Sequence, residues 1–314
     1  MNRKRRRLRP TAVLALILLA LVIVLAVVVV VRFVRFRNLD NNDVPELPET
    51  SEGEMVTPDT PDVSDTPIEP EVPEEPELPP VVEDIPEIKD DAPKPVYSQE
   101  ELISMYPDAV LSSTDDAGVE YIDDIYFIGD STTHGMKYYG VLSGGKETDK
   151  VWTPRSGTLA MWNLLTEKVV MGDGNEETIP DAVGVTKPQM VVLTLGVNGV
   201  SSCSKEQFTG YYKDLIKAIK EKSPDTVIIM QSIYPVCSDY QYVNSISMEK
   251  INNANSWIAE LANENGCYFL NTCSVLVDET GYLKPSYSNG DGIHISPEGF
   301  SVILDYIRTH AYLG

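Results

Sequence analysis

Histidine is scarce in this 314-residue chain, which has only His134, His294 and His310. Any chemistry that needs an imidazole base therefore has few candidates. There is no H-E-x-x-H pair, and the four cysteines (Cys203, Cys237, Cys267, Cys273) are not grouped with histidine at zinc-ligand spacing. The stretch 173–178, DGNEET, begins like a calcium loop but lacks the glycine and glutamate that close one. SGGK at 143–146 is not a phosphate-binding loop. No metal or cofactor is expected. Basic residues are outnumbered, 25 Lys and Arg against 48 Asp and Glu, for a net charge of −23. Such a chain repels nucleic acid and anionic lipid headgroups, so neither is expected as a substrate.

The charge is unevenly spread. Residues 1–37 carry nine Lys or Arg and no acid, whereas 38–98 carry 19 acids, two lysines and 13 of the 22 prolines. A basic tail (1–11) is followed by twenty uninterrupted apolar residues, Ala12 to Val31, about one bilayer span for a helix. Six basic residues precede that run, which places the N-terminus in the cytoplasm and the rest outside. A cleaved secretory signal would have a shorter apolar region and a small-x-small cleavage site, and no cysteine suits a lipoprotein anchor. We therefore expect a single-pass, uncleaved signal anchor in the cell membrane.

Residues 32–98 read as a juxtamembrane segment and an acidic, proline-rich disordered linker. It has no aromatic residue between Phe36 and Tyr97, so it has little with which to build a core. The 61 residues of 38–98 reach on the order of 190 Å as polyproline II but only about 45 Å as a flexible coil. Proline and like-charge repulsion favour the longer figure. The export context permits disulfides. Cys267 and Cys273 would lie about 20 Å apart if the run between them is extended, too far to bond. Cys203 and Cys237 each follow an apolar run and could pair if those strands are neighbours.

The remainder, 99–314, alternates apolar runs with helical patterns. Strands are expected at 125–129, 190–196, 226–234 and 267–271, with a weaker one beginning at Val151-Trp152. Helices are expected at 158–168, 205–222 and 247–264, and in a last segment capped by Ser296 with Pro297 at its first position. Ser204 and Gln207 have capping-box spacing. Continuous apolar strands alternating with helices imply a parallel sheet covered on both faces, with ligands bound beyond the strands' carboxyl ends.

The polar residues that follow those runs are chemically informative. They include Ser131 in GDST, Gly157 in RSGT, Asn198 in GVNG, and the pair Asp291 and His294 in NGDGIHISPEG. Ser131 needs a base to become a nucleophile. His134 lies on the opening turn of a helix and His310 near the end of the last one. His294 alone has an acid, Asp291, at a spacing that can orient its ring. The Ser131 N–H, the Gly157 N–H and the Asn198 amide are candidate donors to an oxyanion. Each element also has a plain structural reading as a turn, strand end or helix start. The joint order favours catalysis.

With these residues the segment 120–314 resembles the SGNH or GDSL hydrolase superfamily. GDS at 129–131 and DGIH at 291–294 match its first and last blocks. GVN at 196–198 matches the third, and Gly157 stands for the second. The resemblance implies a flavodoxin-like three-layer α/β/α sandwich and metal-free ester hydrolysis. Its catalytic residues would be Ser131, Asp291 and His294, and its oxyanion donors Ser131, Gly157 and Asn198. Thr132 stands where the family usually has an aliphatic residue, and Gly199 where an Asp commonly follows the Asn. The expected substrate is an acylated small molecule or carbohydrate. Acyl transfer, lipid-ester cleavage and a non-catalytic surface binding protein on the same fold are the competing readings.

Overall fold

The structure is a computed structural model that describes residues 92–314. The expected anchor at 12–31 and most of the acidic linker lie outside those residues. Among the described residues no helix is long and apolar enough to cross a membrane.

Five short strands form a parallel sheet: β1 (Ile125–Gly129), β2 (Val151–Trp152), β5 (Met190–Thr194), β6 (Val227–Gln231) and β7 (Tyr268–Leu270). They lie in the order β2-β1-β5-β6-β7. A separate antiparallel hairpin pairs β3 (Lys168–Val170) with β4 (Glu176–Thr178). Counted along the chain, the five strands of the main sheet have the flavodoxin-like order, with a switch point between β1 and β5. Register runs from Ile125 opposite Met190 to Gly129 opposite Thr194, so β1 and β5 end side by side.

Alternation along the strands builds two cores. Phe127, Val192 and Ile229 face one side of the sheet, and Ile128, Leu193 and Met230 the other. The first side is covered by α2 (Gly118–Asp123), α3 (Ser131–Tyr139) and α8 (Pro297–Thr309), from which Met136, Phe300 and Ile303 are fully buried. The second is covered by α4 (Ile179–Thr186), α5 (Lys205–Lys222) and α6 (Met248–Glu264), through residues such as Phe208 and Ile258. Each such side chain contributes about 1.5–3 kcal/mol when fully buried. The result is the three-layer α/β/α sandwich. The caps at Ser204 and Ser296 form as expected, each side chain accepting a backbone N–H three residues on. Two short helices remain, α1 (Gln99–Met105) and α7 (Cys273–Leu276).

One expectation fails. The segment 158–168 is not a helix: it makes one 3-10 turn, Met161–Asn163, and then enters the hairpin. Ala160 is extended, and the Asn163 side chain accepts its N–H at 2.9 Å, which caps the turn and ends the extended stretch. The β-branched Val169 and Val170 then pair with β4. The helical spacing of Met161 and Leu164 reflects a loop that buries both side chains against the core. The Cys203–Cys237 pairing, which the sequence leaves open, is not made: all four cysteines are free. Residues before α1 pack on the domain, with Lys94 O accepting from Asn252 Nδ2 at 2.8 Å.

Candidate active site

β1 ends at Gly129, where a Cβ would strike Thr133 and the Thr194 carbonyl. Asp130 then caps α3, and Ser131 is its first residue. Ser131 thus stands at the carboxyl end of β1, at the sheet's switch point, with Asn198 just beyond β5.

The loop before α8 brings His294 to it. Asp291 Oδ1 accepts the backbone N–H groups of Ile293 and His294, both at 2.9 Å, which folds the loop tightly on itself. Asp291 Oδ2 lies 2.6 Å from His294 Nδ1, and His294 Nε2 lies 2.9 Å from Ser131 Oγ. Burial pushes the Asp291 carboxyl up, but the two backbone N–H groups and the imidazole outweigh it, and the net shift is downward. An ionised carboxylate only accepts, so Nδ1 carries the proton and Nε2 is left as an acceptor for the Ser131 hydroxyl. That is the arrangement a general base requires.

The remaining candidates are nearby but differently engaged. The Ser131 N–H donates to Gly157 O at 2.8 Å, and the Gly157 N–H donates to Pro154 O at 2.9 Å. Gly157 has φ +71°, and a Cβ there would meet only Ser131 Cβ, at 3.8 Å. Backbone conformation, not crowding, therefore explains the glycine. Asn198 Nδ2 donates to Asp130 Oδ2 at 2.9 Å and lies 3.5 Å from Leu159 O. All three donor groups thus have internal partners.

Asp130 is the residue the sequence reading missed. It is fully buried, and its Oδ1 accepts both the N–H of Thr132 at 2.9 Å and its hydroxyl at 2.8 Å. Burial pushes its carboxyl up to about 6, opposed by the Thr132 groups, His294 and Asn198. Thr132 earns its place by bonding this carboxylate, a task an aliphatic residue would not perform. Gly199 is explained by sterics, since a Cβ there would fall on Met161 Cγ. Asp130 bonds the Asn198 amide. The available signal was an acid at the N-cap next to Ser131.

The other two histidines take no part in this relay. His134 Nδ1 lies 3.2 Å from Thr153 Oγ1. His310 Nδ1 lies 3.0 Å from Tyr306 O, with its ring stacked on that tyrosine at 3.7 Å. Ser131 and His294 open into a cleft of about 330 Å³, flanked by Tyr138 and Asn289.

The family model for GDSL-like lipases and acylhydrolases matches residues 127–302, more than half of the chain. The chain belongs to this family. Like other GDSL-type acylhydrolases it is an ester hydrolase. Among solved structures it is similar to a GDSL-like lipase from Bacteroides thetaiotaomicron, at 16% identity and a TM-score of 0.47, covering 67% of this chain and 95% of that one. It is also similar to an acetyl xylan esterase, AlAXEase (17% identity, TM-score 0.43, 58% and 96% covered). A family 3 carbohydrate esterase from Talaromyces cellulolyticus gives 16%, 0.38, 59% and 93% on the same measures. No curated relative matches the chain.

Proposed function

We propose that this acylhydrolase is a serine esterase that removes small acyl groups, O-acetyl among them, from carbohydrate by way of an acyl-enzyme on Ser131. The observation that carries the reading is the continuous relay from Ser131 Oγ through His294 to Asp291, with links of 2.9 and 2.6 Å. In the first half-reaction Ser131 Oγ bonds to the ester carbonyl carbon while its proton passes to His294 Nε2. The imidazolium is held by the Asp291 carboxylate. The tetrahedral intermediate then expels the sugar oxygen, which takes the proton from Nε2. Water repeats the sequence on the acyl-enzyme, releasing the carboxylic acid and restoring Ser131.

The oxyanion formed in each half needs donors. The Ser131 N–H supplies one once it exchanges the Gly157 carbonyl for the substrate oxygen, and Asn198 supplies another through its side-chain amide. An apolar N-terminal run preceded by basic residues, and an acidic linker after it, support a place outside the membrane at the end of a stalk.

The test is turnover of p-nitrophenyl acetate by the full-length protein, compared with Ser131→Ala and His294→Ala. Both variants should lose at least three orders of magnitude in kcat. Equal rates in all three proteins rule the mechanism out.

A further inference from the structure

Ser131, Gly135 and Tyr138 line one side of the cleft. Their spacing of four and then three residues puts them on a single stripe of α3. Asn289, His294 and Ile295 form the facing wall. The cleft therefore runs along the helix, and Tyr138 stands two turns, about 10 Å, from the nucleophile. Gly135, between them, projects no side chain, and a Cβ there would meet the Phe300 ring at 2.6 Å. The cleft between Ser131 and Tyr138 is therefore lined there by the bare backbone of Gly135.

Tyr138 is 61% exposed. Its ring is held from two directions. Tyr139 packs against it edge-to-face with centroids 4.9 Å apart, and Lys146 Nζ stands 5.5 Å from its centroid. A restrained, water-exposed ring loses little freedom when something flat lies on it. An acyl chain would gain little here, because Asn289, His134 and Thr132 also line the cleft and leave it no continuous apolar wall. A sugar ring fits better. Its C–H face covers an aromatic surface while its hydroxyls stay in water.

We infer that Tyr138 is a stacking platform for a sugar residue in the alcohol portion of the substrate, one unit or more beyond the acylated sugar. The inference rests on the esterase reading and adds a substrate class to it, an acylated oligosaccharide. Tyr138 is then a specificity residue whose contribution appears only when the substrate is long enough to reach it.

The experiment measures kcat/KM of the full-length protein and of Tyr138→Ala, Tyr138→Phe and Tyr138→Trp. The substrates are p-nitrophenyl acetate, O-acetylated methyl xyloside, O-acetylated xylotetraose and p-nitrophenyl laurate. The ratio of the xylotetraose value to the p-nitrophenyl acetate value should fall about fivefold to tenfold in Tyr138→Ala, through KM. It should stay near wild type in the Phe and Trp variants, and the xyloside ratio should not change. An unchanged xylotetraose ratio, or a loss confined to the laurate, overturns the inference. So does wild-type protein that cleaves p-nitrophenyl acetate but not acetylated xylotetraose, which leaves the esterase reading intact. Wild-type protein inactive on all four esters refutes both.

Discussion

Asp130 Oδ2 and Asn198 Nδ2 lie 2.9 Å apart, joining the ends of β1 and β5 across 68 residues of sequence. The bond fixes the amide plane of Asn198, and with it the direction of the second N–H. Removing Asn198 should cost about a hundredfold to a thousandfold in kcat, the usual effect of losing one oxyanion donor. Asp130→Ala should cost less. The double variant should be scarcely worse than Asn198→Ala alone, because the carboxylate acts through the amide. A double-mutant cycle on kcat measures this, and strict additivity would show the two residues to be independent.

Asp130 also makes stability depend on pH in a defined direction. Its folded-state value of about 6 lies above the ordinary 3.8, so between those limits the native state binds the extra proton. Stability attributable to this group therefore falls as pH rises through that window, by about 3 kcal/mol in all. Thermal melts of wild type and Asp130→Asn at pH 4 and pH 7 isolate it. Wild type should lose ground to the variant on going to pH 7. A constant difference between the two proteins at both pH values would contradict the assignment.

Much of this site can be read in the sequence because its residues directly follow the strands. Ser131 after Ile125–Gly129 and Asn198 after Met190–Thr194 are placed by topology alone, and the final loop carries its acid and base three residues apart. Less legible are features that depend on what packs beside them. The segment 158–168 has helical spacing, yet Asn163 caps a single turn and Val169-Val170 find a strand partner. Gly199 reads only as a departure from the family's Asp until Met161 is seen filling its space. The Ser131 N–H to Gly157 carbonyl bond is a backbone contact, which side-chain identity does not reveal.

Gly199 yields a prediction of its own. Gly199→Asp restores the residue common at that place in the family, but its Cβ collides with Met161. The substitution should destabilise the domain by about 1–3 kcal/mol, the typical cost of overpacking. Adding Met161→Ala should recover part of that loss. Chemical denaturation of wild type and the two variants is the check, and a Gly199→Asp protein as stable as wild type would show that the loop yields freely.

Asp291→Asn tests the relay's outer link. An amide can donate to Nδ1 and so favour the tautomer with the proton on Nε2, which cannot accept from Ser131. On the order of 10³- to 10⁴-fold should be lost from kcat, with KM little changed. Steady-state kinetics on p-nitrophenyl acetate decides it. A loss under tenfold would mean that His294 is oriented by something other than this carboxylate.

The most direct measurement is covalent labelling of the full-length protein with a fluorophosphonate, followed by mass spectrometry of its peptides. The account predicts one adduct per chain, on Ser131, formed far more slowly in His294→Ala. A protein that stays unlabelled, or one labelled at another serine, would contradict it.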